Sequence, residues 1–312
     1  MAPGSDSRHW ASVEAVLRGW SKDRKFHVRT QSGESLLLRV SPPDRLREKE
    51  KEFRIIRKYS TLGFPMSMPL EFGTCEESGN VYMLLTWVSG HDLEAVLPRL
   101  SEEEQYRLGR QAGTILRKIH SLPPDPQDVP HETKRAKKLL QLDKYEASGL
   151  RIRDDGPILQ FVKDHIHLIW TKAPAYLHGD FHPGNLIYME TGSLGVIDFN
   201  RWEVGDPYEE FYKLESFGIE SSVPYCVGQI DAYFADEIPE DFWTINAVYT
   251  AHASLWSIKW AEQFGQKEID GMIKRAERAI LNFDSFRRPV PVWYTDTYRR
   301  RYGSRIFPEI HP

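Results

Sequence analysis

The stretch His178-Gly179-Asp180-Phe181-His182-Pro183-Gly184-Asn185 (HGDFHPGN) decides how this chain is read. Taken alone, His178-x-Asp180-x-His182 offers two imidazoles and a carboxylate, a partial donor set for a transition metal. Taken with Asn185, the same residues set an Asp and an Asn in D-x-x-x-x-N spacing, that of a loop that moves a phosphoryl group. The metal reading needs a distant second histidine, for which His252 is a candidate, and open coordination positions. The phosphoryl reading needs a further carboxylate for Mg²⁺ and a cation for phosphate.

Downstream, Leu194 to Asn200 (LGVIDFN) puts Asp198 at the end of an apolar, strand-like run. The intervening LIYMETGSLGVI reads as strand, Gly-Ser turn and strand, an arrangement that brings Asn185 and Asp198 side by side. Mg²⁺ is a hard cation that takes oxygen ligands, so an amide oxygen and a carboxylate at neighbouring strand ends suit it. Two motifs in order, joined by a hairpin, are far more specific than either alone. The metal-enzyme reading leaves Asn185 and Asp198 unexplained.

Upstream, Lys25 to Val40 (KFHVRTQSGESLLLRV) has two β-rich runs around Ser32-Gly33 and is expected to form a hairpin. EKEKEFRIIRKYSTLGFP repeats apolar residues at helical spacing (Phe53, Ile56, Tyr59) and is stopped by Gly63 and Pro65. Asn80 to Val88 (NVYMLLTWV) reads as a buried strand. From Ser101 the pattern turns helical: Ser101 to Glu104 is a capping box, followed by the stripe Leu108, Ala112, Ile115, Leu116, Ile119. Helical stripes recur in ILQFVKDHIHLIW and INAVYTAHASLWSIKWAEQF. The expected division is a strand-rich part over residues 1–88, a larger helical part over 89–290 and a basic, aromatic tail over 291–312.

The 312 residues are 40% hydrophobic and 28% charged, as in an ordinary globular protein. A net charge of -4 and a pI near 6.3 give no pull toward nucleic acid. Cys75 and Cys226 are far apart and form no CxxC pattern, which argues against a cysteine zinc site or a disulfide framework and fits a reducing compartment. The start, MAPGSDSRHW, has no apolar leader-like core, and no run approaches a membrane span. The expectation is a cytoplasmic protein with no membrane and no nucleic-acid partner, a monomer or a homodimer.

With these residues in place, the chain resembles the aminoglycoside phosphotransferase family. The likeness runs through LLLRV, EFRIIRKYSTLGFPMSMPLEFG, YMLLTWVSG, HGDFHPGN and VIDFNRWEVGDPYEE, most of residues 15 to 260. The resemblance implies an α+β, bilobal, protein-kinase-like fold with a small β-rich N-terminal lobe carrying one helix and a larger, mainly helical C-terminal lobe. It implies ATP or GTP as co-substrate with Mg²⁺. Asp180 would orient or deprotonate the acceptor hydroxyl, Asn185 and Asp198 would bind the metal, and Asp206 would brace the catalytic loop.

Two departures stand out. The family's phosphate-gripping lysine on the third strand is Arg39 here; an arginine keeps the charge but not the geometry. Its helix partner by register is Glu52, ahead of Glu48 and Glu50, which read as a solvated face. The nucleotide-covering segment RGWSKDRKF has one glycine, so Ser21 could touch phosphate only if backbone N–H groups do most of the cradling. Trp87, in the segment LTWVSG, would meet the nucleotide base through its backbone. His178 reads as a ring that locks the loop, while His182 either meets the transferred phosphate or packs. Arg39 is the only support for a pseudokinase, a nucleotide-binding module without turnover.

The acceptor is less legible. From Glu203 to Asp241 the chain holds Glu209, Glu210, Glu215, Glu220, Asp231, Asp236, Glu237, Glu240 and Asp241, against Lys213 as the only cation. This is either an acidic wall for a polycationic amino sugar or the ordinary surface of an acidic protein. Tyr208, Tyr212, Trp243, Trp256 and Trp260 either stack on sugar rings or pack the core, and His252 with Trp256 either lines a pocket floor or is buried. The expected reaction is Mg²⁺-dependent O-phosphorylation of a small hydroxyl-bearing antibiotic or natural product, aminoglycosides first. A metabolite kinase of choline, homoserine or sugar type is the alternative.

Overall fold

The computed structural model describes residues 9–17 and 23–294. By contacts the chain falls into two compact units, residues 1–93 with 184–202, and residues 94–183 with 203–312.

The first unit is built on five antiparallel strands, β1 (Trp10–Val16), β2 (Arg24–Thr30), β3 (Ser35–Ser41), β4 (Pro69–Thr74) and β5 (Val81–Thr86), in the order β1-β2-β3-β5-β4. The expected hairpin is β2–β3, whose turn passes through Gly33 at φ 87°, a backbone region that glycine enters without steric cost. Because strand neighbours alternate faces, the register sorts the side chains into two sets. Val28, Leu38, Val40, Tyr82 and Leu84 form a buried cluster on one face. Lys25, Arg39 and Met83, directly opposite one another across β2, β3 and β5, lie on the other. Helix α1 (Leu46–Tyr59) serves that second face, with Phe53 stacked on Phe72 of β4 and Glu52 reaching Arg39. It stops through a short 3-10 turn at Gly63, in left-handed backbone.

A second, three-stranded sheet in this unit joins β6 (His91–Asp92), β8 (Leu186–Tyr188) and β9 (Leu194–Val196). It explains why residues 184–202, which the sequence places in the helical part, pack with the N-terminal strands. β8 pairs with β6, and the backbone of Val196 bonds to Pro65 and Ser67. Strand β1 is not apparent in the sequence, because WASVEAV is half exposed and lacks a clean alternation of apolar residues.

The second unit holds α2 (Leu93–Val96, which starts at the boundary), α3 (Glu102–His120), α4 (Arg135–Glu146), α5 (Gly156–His165), α6 (Ile219–Ser221), α7 (Val223–Tyr233), α8 (Glu240–Ala261) and α9 (Gln266–Asn282), with the strand pair β7 (Ala175–Leu177) and β10 (Glu203–Gly205). Ser101 caps α3 by accepting the Glu104 N–H at 3.2 Å. The reciprocal half of the capping box is diverted, since the Glu104 carboxylate pairs with Arg107. The stripe Leu108, Ala112, Leu116, Ile119 is fully buried. Pro291 to Tyr294 of the tail is docked: Trp293 donates to Glu215 at 2.7 Å and Tyr294 to Asp231 at 2.6 Å. The rest of the tail, from residue 295, lies outside the described residues. No described helix is long and apolar enough to cross a membrane.

Candidate functional site

In the first unit the residues singled out from the sequence fall on the α1 side of the sheet and at the end of the β8–β9 hairpin. The hairpin has the expected form: Leu186 faces Val196, and the next pairing is the Ile197 N–H donating to the Asn185 carbonyl at 3.1 Å. Asp198 therefore follows directly beside Asn185. Its backbone is left-handed, φ 63° and ψ 60°, a region where non-glycine residues are uncommon and which clusters at functional sites. Oδ2 of Asp198 accepts from the Lys25 ammonium at 3.2 Å, while Oδ1 is buried with no hydrogen-bond partner. A buried carboxylate oxygen without a partner is costly and is the donor a hard cation seeks. The donor set of Asp198 and Asn185, all oxygen, fits Mg²⁺ and not a soft metal.

Arg39 is placed differently from expectation. It is 3% exposed, and its two terminal nitrogens are both taken: Nη1 donates to Glu52 and Nη2 to Asp23, each at 2.5 Å. Lys49 donates to Asp23 and Glu52 at 2.7 and 2.8 Å, and Ser41 and Arg45 also donate to Asp23. Burial opposes the charge on Asp23, but Arg39 and Lys49 outweigh it and hold the carboxyl far below its usual range. Burial likewise opposes the Arg39 charge, and Glu52 and Asp23 more than offset it. The Glu52 pairing read from register is present. The guanidinium, however, ties β3 to α1 and to Asp23 and is not turned outward as a phosphate clamp. Asp23 and Lys49 were missed in the sequence because nothing local marks a charged residue as buried.

The Trp87 ring is tilted against His27 with ring centroids 4.2 Å apart, and its backbone N–H donates to the Ser35 carbonyl at 3.1 Å. A base meeting this residue through its backbone is left with the carbonyl as acceptor. Ser21 and Gly19 lie outside the described residues.

In the second unit, β7 delivers the loop that begins at His178. His178 is fully buried, its Nδ1 accepting the Asp180 N–H at 3.2 Å and its ring edge set against Phe181. The loop backbone is gripped by Glu210, whose two oxygens accept the N–H groups of His178 and Gly179 at 2.9 and 2.8 Å. Asp206, expected to do this, instead accepts from Trp170 N–H, Tyr208 N–H and the Tyr249 hydroxyl at 2.7, 3.0 and 2.8 Å. Register gives the reason: β10 runs antiparallel to β7, so Gly205 lies opposite Ala175, at the end of β7 away from the loop. Burial pushes the Asp206 carboxyl up against these three donors.

Asp180 Oδ1 pairs with the Lys213 ammonium at 2.6 Å, and His182 Nε2 stands 3.7 Å from the same oxygen with its ring tilted against Phe217. Lys213 is almost fully buried, between the rings of Tyr212 and Phe217. Its partnership with Asp180 was not legible in the sequence, where it is one lysine in an acidic run.

That acidic run is largely neutralised from within. Glu209 pairs with Lys138 and Lys134; burial pushes its carboxyl up, but the lysines bring it down to about 2. Glu220 pairs with Arg275 and Arg278, Asp236 with Arg110, and Asp241 with Lys172. Glu215 and Asp231 are buried under Trp293, Asn282, Tyr106 and Tyr294. Tyr208 is packed edge-on against Phe234 and Phe242. His252 is buried, with its Nε2 3.2 Å from the Lys138 carbonyl oxygen. Among the described residues no three His, Cys, Asp or Glu side chains gather as a metal cluster.

This architecture is widely shared among solved structures. The GDP complex of the F108L mutant of aminoglycoside 2'-phosphotransferase-IIIa superposes with a TM-score of 0.69 at 15% identity, covering 90% of this chain and 95% of that one. The apo thermostable mutant of aminoglycoside phosphotransferase APH(4)-Ia gives 0.63 at 17% identity, with 87% and 94% covered. The amicoumacin kinase hAmiN, solved with AMP-PNP and Ca²⁺, gives 0.64 at 13% identity, with 89% and 90% covered. No curated protein matches the chain by sequence. The model of the phosphotransferase enzyme family APH matches residues 12–243, about three quarters of the chain. The α+β, protein-kinase-like chain with its Asp180 loop and Asp198 hairpin therefore belongs to the APH phosphotransferase enzyme family, the small-molecule kinases.

Proposed function

We propose that this protein transfers the γ-phosphate of ATP or GTP, with Mg²⁺, to a hydroxyl group of a small antibiotic or related natural product. The observation that carries the reading is Asp198: a carboxylate beside Asn185, with a lysine ammonium on one oxygen and a buried, partnerless second oxygen. Asp198 and Asn185 are the residues that would hold the metal, which when bound neutralises phosphate charge. Asp180 is the group that orients the acceptor hydroxyl and takes its proton. Lys213 holds Asp180 through Oδ1, and Glu210 fixes the loop backbone from which Asp180 projects. His182, close to the same carboxylate oxygen, is a second group for the acceptor or the transferred phosphate.

Aminoglycosides are the first acceptor class to test, because several proteins of this fold are aminoglycoside phosphotransferases. A metabolite or uncharged natural product is the second reading, and a specific observation favours it. Most carboxylates between residues 203 and 241 already face cations or buried donors of the same unit, so the steering of a polycation is weaker than the sequence suggests.

The test is nucleotide turnover with Mg²⁺, ATP and GTP in parallel, against aminoglycosides, macrolides, nucleoside antibiotics and small amino alcohols. Acceptor-dependent diphosphate release that falls by about a thousandfold or more in Asp180→Ala, with nucleotide binding retained, is expected. Activity of Asp180→Ala near that of wild type would remove Asp180 from its role.

A further inference from the structure

We propose that Lys25, on β2, supplies the cation for the nucleotide's non-transferred phosphates, and that Arg39 is a buried structural rivet in the position where the family keeps its lysine. The assignment rests on the phosphotransfer reading above and names the residue that completes it.

Three observations within the first unit lead there. The Arg39 guanidinium is committed: both terminal nitrogens lie 2.5 Å from buried carboxylates, with only 3% of the residue exposed. Turning it toward a phosphate would strip Asp23 and Glu52 of their strongest partner in a place water does not reach. Lys25 is the residue directly opposite Arg39 in the β2–β3 register, so it rises from the same face of the sheet one strand over. Its ammonium lies 3.2 Å from Oδ2 of Asp198, whose other oxygen is the buried, partnerless one.

A cation held on Oδ1 of Asp198 brings its phosphate oxygens next to the Lys25 ammonium, since both partners then share one carboxylate. Lysine is suited to that place: a point charge on a flexible stem can follow phosphate oxygens, which a guanidinium locked in a fork cannot. The charge the family places on its third strand is therefore not lost here but carried by the neighbouring strand. The substitution at Arg39 then ceases to argue for an inactive protein.

The experiment is calorimetric titration of wild type, Lys25→Met and Lys25→Arg with Mg·ATP, Mg·GTP, adenosine and guanosine, with thermal unfolding of each protein without ligand. Lys25→Met should weaken the triphosphate that wild type binds by about tenfold or more. It should leave the matching nucleoside unchanged and keep the unfolding midpoint within about 2 °C, because a single part-buried ion pair adds little to the stability of a chain of this length. Lys25→Arg should recover part of the triphosphate affinity. A residue that merely supports the sheet would shift nucleoside and triphosphate together and lower the midpoint, which would overturn the assignment. Wild-type affinity for the triphosphate in Lys25→Met would overturn it as well, leaving the phosphotransfer reading intact. A wild-type protein that binds neither triphosphate would overturn both.

Discussion

At the scale of single residues, the same charge does opposite work depending on what surrounds it. Arg39 and Lys25 face each other across two strands, yet one is sealed among carboxylates and the other reaches the rim of Asp198. Replacing Arg39 by Met removes one partner from each of two buried carboxylates and leaves Lys49 as the cation that Asp23 and Glu52 still share. Breaking a buried ion pair in this way costs about 3 kcal/mol or more. The unfolding midpoint of Arg39→Met, followed by circular dichroism without ligand, should fall by about 4 °C or more. A midpoint equal to wild type would mean that the network adds nothing to folding. Asp180, Asn185 and Asp198 could be proposed from the sequence because they share one local pattern of spacing. The partners Lys25, Lys213, Asp23 and Glu210 could not, because each arrives from a different element.

At the scale of elements, α3 and α7 meet through glycines. A Cβ on Gly113 would stand 2.2 Å from the Gln229 carbonyl oxygen, and one on Gly109 2.1 Å from that of Tyr225. Both obstacles are backbone, so the helices must part for any side chain to enter. Gly113→Val should destabilise the protein by about 3 kcal/mol, read from the urea midpoint at unchanged slope. A variant as stable as wild type would show that the helices can separate at no cost. The stripe of α3 is visible in the sequence, but its partner is not. Periodicity tells which face of a helix is buried and leaves open against what. The Asp206 and Glu210 exchange has the same origin, since the offset of β10 against β7 decides which carboxylate reaches the loop, and GDP-YEE offers both.

At the scale of the whole molecule, buried charge makes stability depend on pH. Burial and the nearby Lys138 hold the His252 imidazole well below its ordinary value of about 6.5, against a smaller opposing pull from Glu209. The unfolded chain therefore binds a proton at His252 that the folded one refuses. The His252 contribution is complete above pH about 6.5 and is lost as pH falls below it, by roughly 1.4 kcal/mol at pH 5.5. Glu215 and Asp206, whose carboxyls burial pushes up, act in the opposite sense at lower pH. The difference between wild type and His252→Gln isolates the histidine: unfolding free energies at pH 7.5 and 5.5 should fall less in the variant. Equal slopes would sink the attribution.

The sequence by itself determined the reaction class, because D-x-x-x-x-N followed by a hairpin and an aspartate is a local pattern whose strand and turn residues impose their own geometry. It also determined the β2–β3 hairpin, α1 and its Glu52, and the start and stripe of α3. Only the tertiary structure decided which cation stands beside Asp198, which carboxylate grips the loop, and whether the acidic run is a surface or a set of buried pairs. These depend on register between segments up to 173 residues apart, Lys25 and Asp198 being the widest of the pairs described at the site. No local preference encodes a contact whose two halves are fixed by the packing of everything between them.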